Sequence, residues 1–72
     1  METIIYVKLL NEGTEVYRPA SVINIKDNIY KILESNKYDK DDEEWEFIPG
    51  DLVFCENQEK SDGNILVAIK KY

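Results

Sequence analysis

Six carboxylates fall within the eight positions from Asp39 to Glu46 (Asp39, Asp41, Asp42, Glu43, Glu44 and Glu46), against the single base Lys40. Carboxylates are hard-cation ligands, so the run invites a calcium reading. A calcium-binding loop of the helix-flanked type, however, needs a central glycine and a bidentate Glu at its end, and neither stands at the required spacing. A solvated loop is the bland alternative. A third reading is a contact surface, because an exposed carboxylate cluster steers a cationic protein toward it and sets register on arrival. The stretch accounts for −5 of the chain's net charge of −6. Phosphate backbones are held by clustered Lys and Arg, and here the one such cluster is Lys70-Lys71. Direct nucleic-acid binding is therefore disfavoured and a basic protein partner is expected. The same acidity admits an alternative, an acidic nucleic-acid mimic of phage origin that occupies the basic channel of a DNA- or RNA-binding protein.

The catalytic inventory is thin. Histidine is absent, which removes the commonest general base and metal ligand near neutral pH. Cys55 is the single cysteine; with no histidine to activate it and with the strand parity of Val53, it reads as a core residue. No Ser or Thr stands in a nucleophile-elbow or phosphate-cradling pattern. The expectation is no enzyme, no catalytic residue, no cofactor and no metal. Arg18, the sole arginine, carries a fork that grips a carboxylate bidentately, and Glu12, Glu15 and Glu46 are its expected partners. Trp45 has two readings. It is a core or rim residue, or it joins Tyr6 and Tyr17 in an aromatic shelf on the outer face beside Asp39, Asp41, Asp42, Glu43 and Glu44, suited to a Pro-rich or Arg-containing peptide.

The elements that must position these groups are strands, because the apolar period is close to two along most of the chain. Ile5, Val7 and Leu9 share one face of a first strand, and Asn11-Glu12-Gly13-Thr14 is a turn with positive φ expected at Gly13. Val16 to Pro19 is a short run that ends at Pro19 or lies at a sheet edge, since proline has no ladder N–H. Ser21–Lys26 and Ile29–Leu33 flank Asp27-Asn28 as a two-residue hairpin. Glu34 to Glu44 has no periodic apolar set and reads as a long surface loop, with room for one helical turn. Trp45 and Phe47 return on one face. Pro49-Gly50 then forms a type II turn, Pro setting φ at the first central position and Gly supplying the positive φ at the second. Leu52–Glu56, a turn at Ser61-Asp62-Gly63-Asn64, and Ile65–Lys70 complete the pattern. About five short antiparallel strands close most economically into a barrel, which removes exposed edges.

At 72 residues the chain holds one domain, residues 1–72, with a small core and a stability of a few kcal/mol. A composition 43% hydrophobic and 33% charged lies within globular limits. No apolar run approaches the ~18 residues of a membrane span, and no signal-peptide pattern opens the chain. With a lone cysteine and hence no internal disulfide, a cytoplasmic location is expected.

Tyr6-Val7-Lys8-Leu9-Leu10-Asn11-Glu12-Gly13-Thr14-Glu15-Val16-Tyr17-Arg18-Pro19, together with Trp45-Glu46-Phe47-x-Pro49-Gly50-Asp51-x-Val53-x-Cys55-Glu56, resembles a family of short, uncharacterised bacterial and phage-borne proteins with SH3-like barrels. The resemblance implies a fold and no activity, since function lives in sites and not in folds. The expected molecule is an all-β SH3-like barrel with a long acidic loop, acting as a non-enzymatic protein-binding module or regulator through that loop and the adjacent aromatic face.

Overall fold

The computed structural model describes residues 2–61 and 63–72. Six strands follow one another: β1 Glu2–Leu10, β2 Tyr17–Lys26, β3 Ile29–Ile32, β4 Glu44–Trp45, β5 Leu52–Lys60 and β6 Gly63–Lys71. Five of them form a ring in the order β1-β2-β3-β5-β6, with β6 returning to β1 and β4 attached to the far end of β1. Neighbours pair antiparallel except at the closure, where β1 and β6 run parallel and share the single bridge Tyr6↔Val67. A meander with an odd number of strands brings its first and last strands together pointing the same way. The fold is thus a small, all-β SH3-like barrel, as expected, with one parallel seam in place of an all-antiparallel ring.

Alternation builds the core. Ile5, Val7 and Leu9 of β1, Ala20 and Val22 of β2, Ile32 of β3, Val53 and Cys55 of β5 and Ala68 of β6 point inward and form one apolar cluster with Trp45 and Phe47. Ile5, Val7, Val22, Ile32 and Val53 are completely buried, each worth roughly 1.5–3 kcal/mol of apolar transfer. Two further residues, Ile29 and Val67, are buried outside this cluster, Val67 bridging Tyr6 and Ile29 pairing Phe54. Some apolar burial therefore lies on the outer surface of the ring.

The hairpin at Asp27-Asn28 forms as expected: Lys26 pairs Ile29 directly, and Asp27 takes φ 48°. The Pro49-Gly50 turn also forms, with Gly50 at φ 98° and the Asp51 N–H donating to the Ile48 carbonyl at 3.0 Å. The Ile48 N–H donates in turn to Asp51 Oδ2 at 3.0 Å, so Asp51 stitches the turn from both sides. Lys60 pairs Gly63 at the tip of β5 and β6; of the expected Ser61–Asn64 turn, Asp62 lies outside the described residues.

Two expectations are corrected. Val16–Pro19 and Ser21–Lys26 are not separate runs, because β2 passes straight through Pro19, which pairs Tyr6. The Leu9 N–H donates to the Val16 carbonyl, and alternation along an antiparallel ladder then turns the N–H groups of Arg18, Ala20 and Val22 toward β1 and those of positions 17, 19 and 21 away from it. Pro19 therefore lacks a donor only on the side where β2 has no neighbouring strand, and no ladder bond is lost. Positive φ in the first loop falls on Asn11, at 62°, and not on Gly13; asparagine tolerates that region through its short polar side chain. The Glu34–Glu44 segment is the expected surface loop and contains a single helical turn, in which the Glu43 N–H donates to the Asp39 carbonyl four positions back.

Candidate functional site

The acidic segment is anchored more firmly than a solvated loop would be. At its start, Asn36 replaces the missing strand neighbour of β2. Its Oδ1 accepts from the Ser21 N–H at 2.9 Å, and its Nδ2 donates to the carbonyls of Ser21 at 2.9 Å and Leu33 at 2.7 Å. A side-chain amide here imitates a peptide group and seals the edge. Next, the Asp39 carbonyl accepts from the N–H groups of Asp42 and Glu43, both at 3.0 Å, while its Oδ1 accepts from Asp41 N at 3.0 Å. Asp39 thus folds the segment into a tight turn.

Glu43 is the hub. Its carboxylate accepts from Arg18 Nε at 2.8 Å and Nη2 at 2.6 Å, and from the Trp45 indole Nε1 at 3.0 Å. The Arg18 bond first, and the Trp45 bond second, hold the Glu43 carboxyl below the usual carboxylate range. Arg18 accordingly pairs with none of Glu12, Glu15 or Glu46; the β2 register carries it to Glu43. Glu44 accepts from Asn11 Nδ2 at 2.6 Å. β4 then pairs Trp45 with Leu9 and Glu44 with Leu10.

Trp45 belongs to the core. Only 5% of it is exposed, and its ring meets Tyr38 at 5.1 Å between centroids. The shelf of Tyr6, Tyr17 and Trp45 does not exist, because Leu9, the partner of Trp45, faces inward whereas Tyr6 and Tyr17 face outward and are half-buried. Tyr17 instead borders a shallow depression of ≈ 210 Å³ with Lys8, Glu46, Gln58, Val67 and Ile69, and Lys60 Nζ lies 5.0 Å above its ring. Of the eight expected contact residues, Asp41 and Asp42 are exposed with no side-chain hydrogen bond or ion pair among the described residues. Asp39, Glu43, Glu44 and Trp45 are engaged in holding the segment together.

Asn36, Asn11 and Tyr38, which shape the site, were not expected from the sequence; Asn36 bonds to backbone, Asn11 to a residue 33 positions away, and Tyr38 packs on the Trp45 ring. Among the described residues no group of three or more carboxylate, cysteine or histidine side chains is arranged to hold a metal ion, so the acidic segment spreads its charge outward and does not converge it. Cys55 is 2% exposed, and burial pushes its thiol up to about 11, the opposite of what a nucleophile requires. No helix among the described residues is long and apolar enough to cross a membrane. Comparison of the chain with protein-family models, curated proteins and solved structures returns no match.

Proposed function

We propose that the chain is a small non-enzymatic protein-binding module or regulator that recognises a basic protein segment through the tip of its acidic loop. The observation that carries this reading is the division of labour among the carboxylates. Glu43, Glu44 and Asp39 fix the loop by internal hydrogen bonds, and that rigidity presents Asp41 and Asp42 outward. A pre-ordered contact forfeits less conformational entropy on binding than a floppy charged loop does. Glu46 and Tyr17, which share the adjacent depression, extend the surface toward an apolar or guanidinium-bearing side chain.

The test is fluorescence anisotropy with a labelled peptide of alternating lysine and glycine. Asp41→Asn with Asp42→Asn should weaken binding several-fold, and the loss should shrink as salt rises. Arg18→Ala separates display from bulk charge. It makes the protein more negative while releasing Glu43, so a display mechanism predicts weaker binding and a pure charge mechanism stronger. Tighter binding by Arg18→Ala would remove the geometric basis of the reading.

A further inference from the structure

The acidic segment is attached to β1, whereas β3 and β5 are the two strands of the ring that do not touch β1. Their outer surface has the opposite character. Lys31 lies between Ile23 and Leu52 in the cross-strand register, and Phe54 lies between Ile29 and Lys70. Tyr72 stacks edge-on against Phe54 at 5.5 Å, with 62% of its surface exposed. Lys70 Nζ sits 5.0 Å above the Phe54 ring. Lys31 and Lys70 are exposed and have no ion-pair partner among the described residues, whereas Lys71 is drawn to Asp51 at 3.8 Å. This is an aromatic and aliphatic face with a lysine on either side.

The chain's own acidic tip carries the matching features: Asp41 and Asp42 outward, and exposed Leu10 paired beside Glu44. Within one molecule the topology keeps the two regions apart. We propose that the chain associates with itself head to tail, the Asp41-Asp42 tip and Leu10 of one copy seating on the Leu52, Phe54 and Tyr72 face of the next, between Lys31 and Lys70. The inference rests on the reading of Asp41 and Asp42 as the contact group and names a second copy as their basic partner. Because the two surfaces differ, the contact is heterologous and builds open chains in place of a closed pair. Charge complementarity and apolar matching on one sequence favour a second copy over a nucleic acid, since the two lysines flanking this face, on a molecule of net charge −6, give a polyphosphate little to hold. At physiological salt the screening length is about 8 Å, which mutes the repulsion between two acidic molecules and leaves contact pairs intact.

Sedimentation velocity over a wide concentration range tests this. The wild-type chain should show a weight-average mass that rises with concentration at physiological salt, and its association constant should fall roughly tenfold at about 1 M salt. Lys31→Glu with Lys70→Glu should be monomeric, as should Asp41→Lys with Asp42→Lys, both with unchanged circular dichroism. Mixing the two variants should restore association, because the swapped face and the swapped tip complement each other. A wild type that stays monomeric throughout, variants that associate as well as wild type, or a mixture that remains monomeric would each overturn the proposal. Capture of a single-stranded oligonucleotide by the lysine face in a monomeric chain would also overturn it. If self-association fails while the lysine peptide still binds and still needs Asp41 and Asp42, the self-partner is wrong and the module reading stands. If the peptide too is indifferent to Asp41 and Asp42, both fall.

Discussion

Between Asp39 and Glu46 only Glu44 and Trp45 belong to a strand, whereas the lysine-edged face of β3, β5 and β6 is laddered along nearly its whole length. The first region takes much of its order from side chains, the Asn36 amide just before it, the Glu43 carboxylate and the Trp45 indole, beside the backbone turn at the Asp39 carbonyl. The second takes it from backbone pairing that any side chain could accompany. Order borrowed from side chains is vulnerable to single substitutions and to proton concentration, and ladder order is not. A charged loop can thus be as fixed as a strand while remaining far easier to release.

The largest expected effect tests how deeply the loop is tied to the core. Trp45→Ala removes a buried indole that contacts Tyr38 and supports β4, at a cost of about 3–5 kcal/mol. In a domain of this size that leaves little folded protein, and urea denaturation should show it; a loss below about 1 kcal/mol would mean the indole is not part of the core. Asn36→Ala comes next, exposing the Ser21 edge and breaking three bonds, for about 1–3 kcal/mol. Hydrogen exchange should quicken at Ser21 and spare the β5–β6 ladder. Equal quickening in both regions would erase the contrast between them. Gly50→Ala is expected to cost about 1 kcal/mol or more through its positive φ, because an added Cβ would meet only Glu34 Oε1 at 3.6 Å, an ordinary contact.

The smallest effect separates the two kinds of order by pH. Glu43 has a folded pKa below its unfolded value, so its contribution is fully present above the ordinary carboxylate value of about 4.3 and is lost as pH falls through the depressed folded value. The thermal midpoint of wild type should therefore fall more steeply on acidification than that of Glu43→Gln, and parallel curves would show that the clamp contributes nothing measurable. Screening at an exposed pair keeps the difference small. Cys55 works at the other end of the scale. With its thiol raised to about 11, it stays protonated in the fold while an unfolded thiol ionises near 8.5, so its contribution is complete below that value and is lost as pH climbs toward 11. Thiol labelling at mildly alkaline pH should track global opening.

The ladder region was the legible one. Alternation in β1, the Asp27-Asn28 pair and Pro49-Gly50 are local signals, and each produced the element it implies. At Pro19 the sequence left a strand end and a sheet edge both open, and the edge reading holds; the choice was not legible because whether a missing N–H matters depends on which side of the strand has a neighbour. The partner of Arg18 was open for a similar reason: Glu12, Glu15 and Glu46 were its expected partners, and the ring brings Glu43 to it across 25 positions. Trp45 showed its inward parity with Phe47, but not its bond to Glu43, which occupies the one polar atom of the indole and makes burial affordable. Asn36 gave no warning, since an asparagine in a polar loop looks alike whether it faces water or imitates a backbone.

The seam at Tyr6 and Val67 joins β1 to β6 through a single parallel bridge. While a ribosome is still delivering β6, the preceding strands form an open sheet without Leu66 and Ala68 to finish the interior. Closure must therefore await β6. Contacts of such long sequence separation assemble slowly, which leaves the nascent chain a window in which a chaperone, or a neighbouring unfinished copy, competes for its unguarded margin.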